Sequence, residues 1–257
     1  MIPLSDENPT VRPPVITILI LAAMVAVWVI VEGAGFGDRM VRAICNLGLV
    51  PGELTGLAPI GSAVPIGPGL YCAVDAQLAN WASPVVSLFL HGGWGHLLGT
   101  ALFLWVFGNN VEDVMGAGRF LAFFLLCGVA AAALHVLVDP ASPVPTVGAS
   151  GAISGVMGAY LICFPRVRVR MLFWFVLLHR VVAVPAWAVL GWWFVLQVLL
   201  GLPQLARAGA ATGGVAVWAH VGGFLAGVVL VRWFARPDLV RDRRAMLLRL
   251  GLLDRLA

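Results

Sequence analysis

The residues best suited to chemistry are a serine and a histidine set in apolar runs: Ser150 in TVGASGAISGVMGAYLICF and His220 in VAVWAHVGGFLAGVVLV. Polar and ionisable groups at membrane depth are costly to keep and mark functional sites. Ser150 follows Gly148 and Ala149 and precedes Gly151, at the start of its run. Its hydroxyl therefore falls beside the backbone donors that a helix N-terminus leaves without partners. His220 is followed by Gly223 and Gly227 at i+3 and i+7, a strip along which a second helix can approach closely. On the serine run, Ser150, Ser154 and Gly158 recur at i, i+4 and i+8, while Gly151 and Gly155 make a GxxxG step on an adjoining face. If these faces meet, an imidazole reaches a serine hydroxyl, the nucleophile–base pairing of acyl transfer.

A third group, HGGWGHLLGT, precedes them. His96 and Thr100 lie one helical turn apart and share a face. His91 and His96 project about 140° apart on a regular helix and no carboxylate stands beside them, so no metal is expected, nor any other cofactor. An acyl-transfer centre instead needs donors aimed at a developing oxyanion, and His96 with Thr100 suits that use.

Such groups need elements to position them. Of 257 residues, 61% are hydrophobic and 11% charged, and the mean hydropathy is +0.99, which places the chain in a lipid bilayer. The net charge of +4 comes from arginine without lysine; in a membrane chain, loop arginines orient spans, so nucleic acid is not implied as a partner. The apolar runs predict an all-α, polytopic membrane domain at residues 15–234 with six spanning helices: Val15 to Val31, Pro84 to Phe107, Gly118 to Val138, Val147 to Phe164, Val184 to Leu202 and Gly214 to Phe234. Each is near the roughly 20 residues a bilayer helix needs, the fourth being short. His179, Arg180 and Pro185 interrupt the fifth run, so Met171 to Arg180 is expected as an interfacial turn. Residues 1–14 are expected as a short cytoplasmic N-terminus, with the first run a retained span and not a cleaved signal peptide.

Between the first two runs lies a long first extracytoplasmic loop, residues 33–83, of a length that usually signals function or separate folding. Cys45 and Cys72 both lie in it; an oxidising compartment permits a disulfide between them, and two free thiols fit the spacing equally. Arg166, Arg168, Arg170 and Arg180 follow the fourth run, and Arg232, Arg236, Arg241, Arg243 and Arg244 the sixth, which puts those ends in the cytoplasm. Residues 235–257 then read as a basic cytoplasmic tail, either an amphipathic surface helix or a solvated segment. In this topology Ser150 and His220 enter from the same outer surface and share one depth. His135 is expected to hydrogen-bond locally, with Asp139 at i+4, and Asn109, Asn110, Glu112 and Asp113 to cap the inner end of the second span.

The stretches HGGWGHLLGT, FGNNVEDVMG, GASGAISGVMGAY and AHVGGFLAG, in that order, resemble the signature segments of rhomboid intramembrane serine proteases. The resemblance implies Ser150 as nucleophile and His220 as general base, working without a carboxylate. It implies an oxyanion site of His96 with the backbone N–H groups of Ser150 and Ala149, supported by Gly148, Gly151, Gly223 and Gly227. The implied activity is hydrolysis of peptide bonds in or near transmembrane segments of membrane-protein substrates, in a bacterial inner (plasma) membrane with both termini cytoplasmic. Lateral substrate access near the fifth span is likewise implied. Two positions depart from the pattern. Thr100 stands where asparagine is common, and its single, shorter hydroxyl donor would weaken the oxyanion site. Ser154 stands where some relatives stack an aromatic ring on the histidine, and would instead position the imidazole by a hydrogen bond.

Two other classes compete. A weakly active or inactive rhomboid-like protein that binds membrane-protein clients would lack Ser150 or His220 in its inactive form, and both are present. A solute transporter would carry repeated halves, broken helices or intramembrane acids, and the sequence presents none of these.

Overall fold

A computed structural model describes residues 2–67, 70–75, 81–175, 178–205 and 216–252. The chain opens with β1 (Ile2–Asp6) and the apolar helix α1 (Val15–Ile30). Two short helices follow, α2 (Asp38–Leu47) and α3 (Pro51–Thr55), then a hairpin of β2 (Ala63–Gly67) and β3 (Leu70–Ala73). Next come a helical turn, α4 (Ser83–Val86), and the long helices α5 (Trp94–Met115) and α6 (Ala117–Val138). The shorter α7 (Ser150–Cys163) leads into strands β4 (Arg168–Phe175) and β5 (Leu178–Pro185). Helices α8 (Ala186–Leu205), α9 (Val217–Phe234) and α10 (Pro237–Arg249) complete it.

Apolar runs become helices because hydrocarbon offers backbone groups no partner except one another. Helices α6, α8 and α9 are each long and apolar enough to cross a bilayer. A fourth candidate is broken: the segments Ser83–Phe89 and Trp94–Met115 meet at a 96° bend. The expected second span, Pro84 to Phe107, is therefore corrected to a helix that starts only at Trp94, beyond His91-Gly92-Gly93, and runs on to Met115. Helices α1 and α7 are apolar but shorter, 16 and 14 residues. At 1.5 Å per residue α7 is only about 21 Å long, against a hydrocarbon core of about 30 Å. The chain is a multi-pass helical membrane protein.

The expectation of an all-α fold needs correction. Strands β1, β4 and β5 form an antiparallel sheet in that order, with Ile2 opposite Leu172, Asp6 opposite Val169, and Arg168 opposite Pro185. Residues 171–175 and 178–180 of the segment expected as an interfacial turn thus lie on two paired strands, β1 supplies the edge strand, and residues 176–177 lie outside the described residues. The physical reason is a period of two: Val167, Val169 and Met171 are buried while Arg166, Arg168 and Arg170 point outward, the alternation of a half-buried strand. Pro3 falls on the edge strand, where a missing N–H costs no ladder bond.

The described residues of the 33–83 segment are structured as well. The Sγ atoms of Cys45 and Cys72 stand 1.99 Å apart, a disulfide that ties α2 to β3. Residues 68–69 and 76–80 of the expected loop, 214–215 of the expected sixth span and 253–257 of the expected tail lie outside the described residues. Within the described part of that tail, α10 is tied to the bundle through Arg243. Arg243 of α10 is buried, its Nε donating to Asp113 at 3.1 Å and its Nη2 to Asn8, Pro9 and Asn110. Glu112 accepts from the N–H groups of Ile16 and Thr17 and from the Thr17 hydroxyl, each at 2.8 Å. It caps α1, a different helix from its own, so the acidic pair does more than finish the second span.

Candidate active site

Three helices begin side by side. Ser150 is the first residue of α7, His96 the third of α5 and His220 the fourth of α9, so each lies in a first turn, where the helix dipole is positive and amides lack intrahelical acceptors. In α7 the Ile153 N–H is the first of its turn to close back, onto the Ala149 carbonyl at 2.9 Å. Helices α7 and α9 touch backbone to backbone. A Cβ placed on Gly223 would overlap the Gly151 carbonyl, and one on Gly227 the Gly155 carbonyl. Only glycine permits this approach, and it sets the reach of an imidazole on one helix to a hydroxyl on the other.

His220 Nε2 lies 2.9 Å from Ser150 Oγ. On its other edge, His220 Nδ1 lies 2.9 Å from Oε1 of Gln197 on α8. Trp193, one turn earlier on α8, sets its ring 5.8 Å from the imidazole, tilted by 40°. Sequence reasoning passed over both α8 residues, although Gln197 is a lone amide in the apolar stretch GWWFVLQVLL, the kind of residue whose membrane cost marks a role.

His96 is oriented from two sides. The Gly92 N–H donates to its Nδ1 at 3.3 Å, which leaves the ring proton on Nε2. That nitrogen lies against Gly148, where the backbone has φ +116° and an added Cβ would sit 2.7 Å from Nε2. Gly148 is thus required twice over, by its backbone conformation and by the ring beside it. His96, Gly148, Ser150, Gly151 and His220 share the wall of a cavity of about 500 Å³. A second hollow of about 220 Å³ opens between Ser150, His220, Phe103, Ile153, Met157 and Trp193.

Two hydroxyls expected at the site take local partners here. Thr100 does not point its donor at the serine: its hydroxyl lies 2.9 Å from the His96 and Leu97 carbonyls of its own helix and 3.1 Å from His91 Nε2, and a single proton serves one of them. Ser154 does not hold the imidazole either, for its hydroxyl donates to the Ser150 carbonyl at 2.6 Å. His135 pairs with the Thr146 hydroxyl at 3.0 Å. Glu32, just past α1, accepts the His91 N–H at 2.9 and 3.1 Å, and its burial raises its pKa to about 7. Among the described residues, no group of three or more His, Cys, Asp or Glu side chains is arranged to hold a metal ion.

Fold and site define a multi-pass helical membrane protein with a serine–histidine contact at the mouth of converging helices. The Rhomboid domain family matches residues 78–237, more than half of the chain, and the protein belongs to that family. It is 40% identical over 82 residues to "Rhomboid protease GluP" of Bacillus subtilis, a stretch covering 32% of this chain and 16% of the relative. Over 75 residues it is 39% identical to "Rhomboid-like protein 11, chloroplastic" of Arabidopsis thaliana, covering 29% and 26%. Over 149 residues it is 32% identical to "Rhomboid-like protease 5" of Toxoplasma gondii, covering 56% and 15%. The matched stretches thus span about a quarter of these relatives' length at most.

Proposed function

We propose that the protein is an intramembrane serine endopeptidase that cuts peptide bonds in or near transmembrane segments of other membrane proteins. The observation that carries this is the 2.9 Å contact between Ser150 Oγ and His220 Nε2 inside a cavity that also holds His96. His220 takes the Ser150 proton as Oγ bonds to the substrate carbonyl carbon. The tetrahedral oxyanion is met by His96 Nε2–H and by the amides of Ser150 and Ala149. His220 returns its proton to the departing amine, and water, activated by the same imidazole, hydrolyses the acyl-enzyme.

In this reading six helices, α1 and α5 to α9, span the bilayer. The shortness of α7 sets Ser150 below the outer surface, because a helix of about 21 Å anchored at the inner face ends short of the outer one. The arginines after α7 and α9 put that inner face in the cytoplasm, with both termini there, in a bacterial inner membrane. The long loop then faces outside, where the Cys45–Cys72 disulfide is stable.

The test is labelling by a serine-directed fluorophosphonate in native membranes, with Ser150→Ala and His220→Ala as controls. Labelling of the wild type and of neither variant is expected. A folded wild-type protein that stays unlabelled would sink the protease reading and favour a rhomboid-like protein that binds clients without cutting them.

A further inference from the structure

His220 has two edges, and the reaction uses only one. For Nε2 to accept the Ser150 proton it must carry a lone pair, so in the neutral ring the proton must reside on Nδ1. A histidine–serine pair with nothing at Nδ1 would spend part of its time as the opposite tautomer, with Nε2–H facing a hydroxyl it cannot deprotonate. The atom at Nδ1 is Gln197 Oε1 at 2.9 Å, an acceptor only. From geometry that rests on the protease reading above, we infer that Gln197 is a positioning residue: its amide oxygen holds the proton of His220 on Nδ1 and aims Nε2 at Ser150.

Three observations support this over a packing role. Gln197 lies on α8, a helix different from those of either reacting residue, so the bond fixes the ring from a third direction. Trp193, one turn earlier on the same helix, packs its ring against the imidazole at 5.8 Å with a 40° tilt, so α8 contacts the ring on a second side. And a half-buried amide in the apolar stretch GWWFVLQVLL needs a partner to offset its burial; here the partner is the ring that needs an acceptor. During attack the proton leaves Ser150 Oγ for Nε2 as the new Oγ bond forms. The ring is then a cation whose Nδ1–H still donates to Gln197, so the amide dipole stabilises the charge as it develops. A neutral amide here does the orienting that a carboxylate does in a three-membered serine site.

The test follows the rate of fluorophosphonate labelling of Ser150 against pH, in detergent-solubilised full-length protein, for wild type, Gln197→Met and Gln197→Glu. The titratable groups facing His220 from the neighbouring helices are His96 on α5 and His135 on α6, and all three proteins share them. Methionine keeps length and volume and loses the acceptor. Its labelling rate is expected to fall about tenfold, the population factor that one neutral hydrogen bond supplies, with the thermal unfolding midpoint close to wild type. Glutamate keeps the acceptor and adds negative charge, so it should label faster than the methionine variant, with the acid limb of its profile moved to higher pH. Equal rates and equal limbs in all three proteins would overturn the inference. If the methionine variant does not fold, the limb of the glutamate variant decides, and an unmoved limb overturns it as well. A wild-type protein that never labels defeats the protease reading instead, whereas a labelled wild type with an equally fast methionine variant defeats only the role of Gln197.

Discussion

Polar side chains gather at both ends of the bundle, and the two clusters are built on opposite plans. At the arginine-rich end, Asp113 accepts from the Val11 and Arg12 amides, the Arg12 guanidinium and Arg243. Beside it Glu112 uses both oxygens on α1, and Asp6 accepts from the Tyr160 hydroxyl at 2.5 Å and Asn110 at 2.9 Å. Acceptors there are saturated by protein. At the other end Ser150 meets His220, His220 meets Gln197, and His96 lines the same chamber as Ser150 and His220. A saturated cluster holds elements together; one that leaves Ser150 and His96 on the wall of an open chamber suits the reaction proposed above.

The largest expected effect separates the two ends outright. Ser150→Ala should lower fluorophosphonate labelling and peptide cleavage by about 10⁴-fold or more. Its unfolding free energy should stay within about 0.5 kcal/mol of wild type. At the opposite end the signs reverse. Asp113→Ala leaves the Arg243 guanidinium buried without its carboxylate and should cost about 3–5 kcal/mol, read by denaturant or thermal unfolding in detergent. The labelling rate per folded molecule should stay within about threefold, since the sites are too far apart to share partners. Substantial loss of activity in the folded Asp113 variant would break the contrast.

Gly148→Ala probes the boundary between packing and chemistry. Its Cβ must either push the His96 ring away or strain a backbone at φ +116°. Displacing one oxyanion donor should slow acylation about 10²-fold, a larger effect than on stability. The measurement is the labelling rate beside the unfolding midpoint of the same sample.

What could be read in the sequence follows this division. Ser150, His220 and His96 stand out because polar residues in hydrocarbon are expensive, and Gly223 and Gly227 because a small-residue strip has few uses besides close approach. The same reasoning could have found Gln197, but its partner lies 23 positions away in a run with no further polar signal. The partners of Thr100 and Ser154 were not legible for a local reason: hydroxyls within a helix satisfy themselves on carbonyls three or four residues back, which spacing cannot reveal. The sheet was hidden by a competing meaning. Arg166, Arg168 and Arg170 read at once as a topology signal and as the solvent face of a strand, and only the second accounts for the valines between them.

A smaller effect tests the saturated end by pH. Burial raises the Asp6 pKa from 3.8 to about 6. Between those values the folded state holds a proton that the unfolded chain has lost, so this contribution is fully present below about pH 4 and is lost as pH rises through 6. Asp6→Asn removes the titration. Its stability relative to wild type should therefore climb between pH 4 and 7, by on the order of 1–2 kcal/mol. Unfolding curves of both proteins across that window measure the difference directly, and other buried acids such as Glu32 cancel between them. A gap independent of pH would mean that Asp6 is as solvated as an exposed carboxylate.

The smallest expected effect lies one turn from the reacting groups. The rhomboid resemblance leads one to expect a side-chain amide at position 100, and the Thr100 hydroxyl instead serves its own helix and His91. Thr100→Val keeps the shape and removes the hydroxyl. Because His91 Nε2 then loses its partner in a buried site, stability should fall by about 1 kcal/mol. The labelling rate should change by less than about threefold, far short of the 10²-fold that a lost oxyanion donor costs. A 10²-fold loss of rate without loss of stability would return Thr100 to the oxyanion site and require its hydroxyl to turn toward Ser150 when substrate binds.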